Sequence, residues 1–144
     1  MKLIIQRVKK ASVIVENKII GRINQGFVVL VGFKKEDGQT CITPMVAKLI
    51  NLRIMSDQNN KMNLALKDVN GEILLVPQFT LYADTSSRRP GFTPAANPDI
   101  ANKLFAAFVN EVKKSALKVE TGKFGADMLV EIHNDGPVTI ILEN

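Results

Sequence analysis

Hydrophobic residues in the first quarter of this chain form short runs with the two-residue period of β-strands. Residues 2–8 are mainly apolar, residues 11–16 alternate between apolar and polar, and residues 27–31 are apolar throughout. A run without polar positions is typical of a strand that is covered on both faces. Asparagine- and glycine-containing turns separate these runs. The pattern predicts an antiparallel meander with residues 27–31 as its central strand.

The second half of the chain shows further strand signals. Residues 72–76 form an apolar run directly after Asn70-Gly71, and this dipeptide predicts a hairpin with the segment around Leu64 and Leu66. Pro77 ends the run, because proline cannot donate a ladder hydrogen bond. A short strand is expected at residues 118–120. Two apolar runs, 128–132 and 138–142, flank the segment 133–139, and we interpret this segment as the turn of a final hairpin.

Two stretches have the three- and four-residue spacing of amphipathic helices. Thr43-Pro44 predicts the start of the first helix, and Asn97-Pro98 predicts the start of the second. The expected core-facing residues are Met45, Val46, Leu49 and Ile50, with Ile54 as a further candidate, and then Ile100, Leu104, Phe105, Phe108 and Val112. A long loop precedes the second helix. These elements predict one α+β domain over residues 1–144.

Composition narrows the class of protein. With 144 residues, 46% of them hydrophobic, the chain can bury a sizeable core. No apolar run approaches the roughly 20 residues of a membrane span, and the start lacks the pattern of a signal peptide. Cys41 is the only cysteine, so a reducing, cytoplasmic location is expected. The net charge of +5 permits a polyanionic partner without requiring one.

Several kinds of catalytic site are excluded. His133 is the only histidine, so a Ser-His-Asp or Cys-His site would have to use it, although a histidine beside a turn is typically solvated. One cysteine and one histidine cannot form a Cys/His zinc site, and no phosphate-binding glycine loop occurs. We therefore expect no metal and no cofactor. Any catalysis would depend on backbone amides, hydroxyls and arginines.

Three segments could carry such chemistry. The break at Pro77 could free the N–H groups of Gln78, Phe79 and Thr80 to form an oxyanion hole, or this segment could simply cross a sheet edge. Thr80 adds a hydroxyl, but no base lies near it in the sequence.

In the long loop, Arg88 and Arg89 with Phe92 suit a phosphate and a stacked base, although exposed arginines often have no ligand. Gly136-Pro137 could direct two backbone carbonyls outward to hold a small ammonium group. The alternative is a turn that merely contains proline.

Two of these segments, residues 77–81 and 134–139, closely resemble the paired motifs Ser-Gln-x-x-Leu and Asn-x-Gly-Pro-x-Thr of the D-aminoacyl-tRNA deacylases. Three further motifs occur in the same order: Gln6-Arg7-Val8, Arg89-Pro90-x-Phe92 and Thr121-Gly122-x-Phe124-Gly125-Ala126. Each motif alone is weak, but the ordered set covers the whole chain and is highly specific.

The resemblance implies a β/β/α fold with barrel-like sheets and a homodimer whose active sites lie at the interface. The implied activity is hydrolysis of the ester that joins a D-amino acid to tRNA. This reaction proofreads chirality by rejecting L-aminoacyl substrates. If a wall at Gly136-Pro137 rejects an L side chain by overlap, glycine has no side chain to exclude, so glycyl-tRNA should also be cleaved. The alternative is a non-catalytic tRNA- or RNA-binding relative.

The resemblance also implies roles for individual residues. A cis Gly136-Pro137 bond would present carbonyls to the substrate's α-amino group in the partner subunit's site, with Arg7 holding this dipeptide in place. Gln78 and Phe79 would supply amides near the scissile carbonyl. Thr80 is a candidate nucleophile, although a route through the 2′-OH of the terminal adenosine fits the family better. Pro77 replaces the family's serine, which removes a hydroxyl and one backbone N–H.

Overall fold

The computed structural model describes all 144 residues, and its architecture is a mixed β-sheet with two helices. Three short 3₁₀ helices cover Gln39–Cys41, Leu66–Val69 and Phe79–Tyr82. The helices are α1 Ile42–Ile50 and α2 Pro98–Lys113. The strands are β1 Lys2–Val15, β2 Lys18–Ile23, β3 Gly26–Gly32, β4 Met55–Ser56, β5 Met62–Leu64, β6 Glu72–Pro77, β7 Val119–Thr121 and β8 Leu129–Glu143. The α+β prediction is confirmed.

The sheet is organised by β1, which is one continuous strand of 14 residues rather than two short ones. Its first half pairs with β3 and its second half with β2, so these two strands share one edge. The predicted meander is therefore wrong, because β3 pairs with β1 and not with β2. A strand as long as β1 offers enough ladder positions for both partners.

The other edge of β1 is covered by β8 along almost its whole length. The two apolar runs of β8 do not pair with each other, so the predicted final hairpin is also wrong. Gln6 pairs with Thr139 and Val8 pairs with Asn134. Residues 135–138 therefore leave the ladder opposite the single residue Arg7, as a large bulge. We call this bulge the Gly-Pro tip (residues 135–138).

Parallel pairing completes the sheet in the order β2-β1-β3-β6-β7. Residues 73–76 of β6 are all buried, as expected for a strand with neighbours on both sides. The expected hairpin at Asn70-Gly71 does not form. Asn70 instead adopts a left-handed conformation after the 3₁₀ helix Leu66–Val69, and β5 pairs with β4. Contacts of β2 with β6 and β7 leave the sheet nearly closed.

Both helices pack on the sheet over the main core, which includes Phe27, Leu49 and Phe108. A smaller apolar cluster fills the curved sheet. The Asn97 cap of α2 is confirmed, with its side chain accepting from the N–H of Asp99 at 3.0 Å. Two details differ from prediction: α1 ends at Ile50, so Ile54 lies beyond it, and Ile100 is 50% exposed. Neither helix is long and apolar enough to cross a membrane.

Candidate active site

The end of β6 shows why proline is tolerated at position 77. The N–H of Gln78 bonds to the carbonyl of Val31 on β3 at 2.8 Å, whereas the carbonyl of Leu75 accepts from Gly122 on the opposite side, also at 2.8 Å. Successive residues of a strand direct their backbone groups to opposite edges. The missing N–H of Pro77 would therefore face β7, and the bond from Gly122 to Leu75 is the last in that ladder. Proline therefore ends the pairing with β7 and leaves the bond from Gln78 to β3 intact.

The chain after Pro77 forms a short 3₁₀ helix, Phe79–Tyr82, which we call the Phe79 turn. Its first internal bond runs from the N–H of Leu81 to the carbonyl of Gln78 at 3.4 Å. The preceding N–H groups, those of Phe79 and Thr80, have no partner within the helix. The prediction that Gln78 also has a free N–H is wrong, because that group remains in the ladder with β3. The potential oxyanion donors are thus the amides of Phe79 and Thr80.

The side chains of the Phe79 turn offer no activated nucleophile. The Thr80 hydroxyl accepts a hydrogen bond from Gln78 Nε2 at 2.5 Å, and neither a carboxylate nor a histidine contacts it. Tyr82 anchors the turn in the protein, and its burial raises the pKa of the hydroxyl above its ordinary value. Chemistry at this turn would therefore rest on backbone groups.

A cavity of about 640 Å³ adjoins the Phe79 turn. Phe79 and Phe92 form its aromatic side, with ring centroids 4.9 Å apart and an interplanar angle of 72°. Both rings are largely exposed for aromatic side chains, at 53% and 40%. The start of α2, including Ile100, and the loop at Phe124 and Gly125 close the other sides. The size and apolar lining suit one small organic group.

The predicted tRNA-binding residues occupy different places around this cavity. Phe92 lines it, whereas Arg88 and Arg89 do not. Both arginines are exposed at the end of a loop that is closed by two hydrogen bonds between Asp84 and Gly91, of 2.7 and 2.9 Å. The arginines are therefore available to a large partner rather than to a group inside the cavity.

The Gly-Pro tip is held by Arg7, which is 7% exposed. Arg7 Nε donates to the carbonyl of Asp135 at 3.1 Å, and Nη1 donates to the carbonyl of Ile54 at 2.7 Å and to Ser56 Oγ at 3.3 Å. The carboxylate of Asp135 lies 3.4 Å from Nε. Arg7 therefore bonds to Asp135, the residue directly before the Gly136-Pro137 dipeptide, and not to the dipeptide itself. The anchoring role of Ile54 and Ser56 was not predicted, because it depends on a distant hairpin.

Position 136 requires glycine for two independent reasons. Its φ of +123° lies in a region that residues with a side chain rarely adopt. A Cβ there would also lie 2.9 Å from Val138 Cγ2 and 3.1 Å from Arg7 Nη2. The bond from Gly136 to Pro137 is cis, as the resemblance implied, and both residues are exposed. The tip thus presents backbone to the solvent.

Within one chain the Gly-Pro tip and the Phe79 turn are separated. Pro77 is in register with Val31, which pairs with Leu3, whereas the tip lies opposite Arg7. Four residues of β1 correspond to about 13 Å along the strand. Consistently, none of Arg7, Gly136 and Pro137 lines the cavity. The predicted ammonium site at the Gly-Pro tip and the predicted oxyanion donors of the Phe79 turn therefore lie apart within one chain.

A further residue, Gly32, lies beneath the Phe79 turn and was missed by sequence reasoning. A Cβ on Gly32 would lie 2.9 Å from the carbonyl oxygen of Gln78 and 3.0 Å from Leu81 Cβ. The close approach of the turn to β3 therefore depends on the missing side chain. A glycine at the end of an apolar strand was the available signal.

The chain is similar to known proteins over almost its whole length. Residues 4–143 match the family described as D-Tyr-tRNA(Tyr) deacylase. D-aminoacyl-tRNA deacylases from Thermosipho africanus (strain TCF52B) and Clostridium perfringens (strain SM101 / Type A) are each 53% identical over 145 residues, covering 100% of this chain and 97% of the relative.

Two solved structures share the fold. The c-Myc DNA Unwinding Element Binding Protein is 40% identical with a TM-score of 0.94, covering 100% of this chain and 99% of that one. A probable eukaryotic D-amino acid tRNA deacylase is 17% identical with a TM-score of 0.88, covering 98% and 97%.

Proposed function

This chain belongs to the D-Tyr-tRNA(Tyr) deacylase family, and on that premise we propose a mechanism for its hydrolysis of D-aminoacyl-tRNA. Hydrolysis of this ester releases the free D-amino acid and tRNA, and so proofreads translation. The mechanism has four parts: a nucleoside pocket, two oxyanion donors, an ammonium site and a second subunit.

The cavity beside the Phe79 turn would receive the terminal adenosine of the tRNA. Its volume of about 640 Å³ and its exposed aromatic pair suit a nucleoside, because bases stack on aromatic side chains. With the base held there, the 3′ ester would lie at the cavity edge formed by Gln78 and Phe79. Arg88 and Arg89 would contact phosphates of the approaching acceptor end.

The N–H groups of Phe79 and Thr80 would then stabilise the oxyanion. Water adds to the ester carbonyl carbon, the negative charge develops on the carbonyl oxygen, and cleavage releases the ribose 3′-oxygen, which takes up a proton. Because the Thr80 hydroxyl has no base, the 2′-OH of the same ribose is the better-placed group to assist the transfer of protons. The ester is already reactive, so positioning and two donors suffice.

The carbonyls of Gly136 and Pro137, which are both exposed residues, would bind the α-ammonium group of the substrate. With the ester and the ammonium group both fixed, one remaining direction at Cα would be closed by the backbone of the tip. An L side chain would overlap with that backbone, and a D side chain would point away from it. Glycine has no side chain to exclude, so glycyl-tRNA would also be hydrolysed.

The separation of about 13 Å along β1 is the observation that carries the proposed homodimer. The tip cannot reach a small substrate at the Phe79 turn of its own chain, and it protrudes where β8 has an unpaired outer edge. A two-fold dimer would place the tip of each subunit beside the Phe79 turn of the other. Each of the two sites would then be complete.

The activity is tested by incubating purified protein with D-tyrosyl-, L-tyrosyl-, glycyl- and L-alanyl-tRNA and measuring release of the amino acid in single turnover. We expect hydrolysis of the D-tyrosyl and glycyl substrates, with both L-substrates spared. Tight binding of D-tyrosyl-tRNA without release would instead support the non-catalytic RNA-binding alternative. Hydrolysis of D-tyrosyl-tRNA with glycyl-tRNA untouched would contradict selection by exclusion.

The dimer is tested by light scattering during turnover. An active species at the monomer mass of 15.9 kDa would contradict the shared site.

A further inference from the structure

The cavity beside the Phe79 turn has a single charged side chain in its lining, and that residue is Lys35. Nine of the 16 lining residues are hydrophobic, and no carboxylate is among them. Lys35 is exposed and forms no salt bridge, in contrast to Lys2, Lys114 and Lys118. An unpaired cation at the edge of an apolar cavity favours a ligand with an apolar body and one anionic group.

The backbone of Lys35 is held in place by its neighbours. Its N–H donates to the carbonyl of Pro94 at 3.1 Å, and the backbone of Lys34 forms an isolated antiparallel β-bridge with that of Ala95. Asp37, two residues later, accepts from the N–H of Lys34 at 2.8 Å and pairs with the ammonium group of Met1 at 2.6 Å. The carboxylate of Asp37 is therefore engaged and does not neutralise Lys35.

Other sources of positive charge near the cavity are weaker. The N-terminal end of α2 borders it, but Asp99 lies in the first turn of that helix and offsets the helix dipole. Arg88 and Arg89 do not line the cavity. Lys35 is thus the cation best placed for an anionic group on a molecule bound inside.

We propose that Lys35 is a substrate-binding residue that pairs with the phosphodiester on the 5′ side of the terminal adenosine. This inference rests on the proposed binding of that adenosine in the cavity. A nucleoside in the cavity has two polar ends: the 3′ ester must face the Phe79 turn, and the 5′-phosphate must leave through the mouth. Lys35, an exposed residue of the lining, would then hold the nucleotide through its 5′-phosphate.

The test compares two competitive inhibitors of D-tyrosyl-tRNA hydrolysis, adenosine and adenosine 5′-(methyl phosphate), which carries the single negative charge of a phosphodiester. Both are measured with the wild-type protein, Lys35→Ala, Lys35→Arg and Lys48→Ala. Lys48 is a matched control, because it is also exposed and unpaired but lies on α1 outside the cavity.

We expect the phosphorylated inhibitor to bind the wild-type protein roughly two- to fivefold more tightly than adenosine, the range for one exposed ion pair. In Lys35→Ala the ratio should fall to about one, because adenosine binding is unchanged and the phosphate no longer has a cationic partner. Lys35→Arg and Lys48→Ala should keep the wild-type ratio. For whole tRNA, Lys35→Ala should raise KM more than it lowers kcat.

Two results would overturn the inference while leaving the deacylase activity intact. The first is a wild-type protein that binds both inhibitors equally or binds neither, although it hydrolyses D-tyrosyl-tRNA. The second is an unchanged ratio in Lys35→Ala. Absence of D-tyrosyl-tRNA hydrolysis by the wild-type protein would instead refute the proposed function, so the two failures are distinguishable.

Discussion

Replacement of Arg7 by lysine tests whether the Gly-Pro tip serves the site of the other subunit. Arg7 reaches the carbonyl of Asp135 through Nε and the carbonyl of Ile54 through Nη1, with distances of 3.1 and 2.7 Å. Lysine keeps the charge, but its single nitrogen cannot reproduce a planar guanidinium that contacts two segments at once. Arg7→Lys should therefore fold and release the tip from one of its anchors.

The magnitude follows from the hydrogen bonds that lysine cannot form. A hydrogen bond from a charged donor contributes about 1.5–3 kcal/mol, so loss of one such bond lets the tip move. A misplacement of about 1 Å at a reacting centre lowers rates by about 100-fold. We expect kcat for D-tyrosyl-tRNA to fall by about that factor. Inhibition by adenosine should not change, because the cavity is about 13 Å from the tip along β1 of the same chain.

The assay combines Arg7→Lys with Phe79→Pro, which removes one oxyanion donor and the aromatic ring. Gln78 has φ −147° and ψ 89°, which lies outside the α region that proline disfavours in the residue before it. Chains with different C-terminal tags are co-expressed, and mixed dimers are isolated by two affinity steps. The tags are placed at the C-terminus because the ammonium group of Met1 is buried against Asp37.

A mixed dimer of Arg7→Lys with Phe79→Pro should have about half of the wild-type activity, because one of its two shared sites receives an intact tip and an intact turn. A control dimer joins the double variant to a wild-type chain and should be inactive, since each site then has one defective part. The opposite pattern, an inactive mixed dimer and a half-active control, would show that each tip serves its own chain and would refute the shared site.

Four further predictions concern single segments. Replacing Arg88 and Arg89 with alanine should raise KM more than it lowers kcat and should make binding less dependent on salt, by about 0.7 in the log–log slope for each phosphate that is no longer neutralised; an unchanged KM would contradict tRNA contact. Thr80→Ala should keep most of the activity, whereas a substrate ending in 2′-deoxyadenosine should react poorly; a trapped acyl-threonine would refute this. Pro77→Ser should change kcat by less than about threefold, because the bond from Gln78 to Val31 already holds the start of the Phe79 turn and one added backbone bond has a small effect; a large gain would mean that the hydroxyl takes part in the reaction. Gly32→Ala should displace the Phe79 turn and lower kcat by about tenfold or more. Inhibition by D-tyrosinamide, an analogue of the aminoacyl group that the Gly-Pro tip would bind, should not change. A wild-type kcat would exclude this positioning role.

Local features of this protein could be predicted from the sequence because short-range physics decides them. Asn97-Pro98 begins α2, since the side chain of Asn97 caps the N–H of Asp99 whatever surrounds it. Pro77 ends β6 because a missing N–H limits any ladder. The apolar residues 73–76 are buried as a central strand. The motif residues themselves, Arg7 and Gly136-Pro137 among them, were also identifiable from their order along the chain.

Strand partners could not be predicted, because they depend on residues that are far away in sequence. Both apolar runs of β8 look like the arms of a hairpin, yet β1 provides one long ladder that takes them both. Asn70-Gly71 has hairpin composition, but its left-handed asparagine ends a 3₁₀ helix, and β6 then pairs in parallel with β3. The conformational preference of a turn dipeptide contributes less to stability than the burial of a central strand, so the strand pairing decides the structure.

The assembly of the site likewise depends on tertiary structure. Only the fold brings Arg7 against the tip through Ile54 and Ser56, and only the register of β1 places the tip about 13 Å from the Phe79 turn. The helical period predicted an inward Ile100, whereas the cavity at the start of α2 leaves this residue half exposed. The sequence determined which groups are available for chemistry, and the long-range pairing of β1 decided where each of them lies.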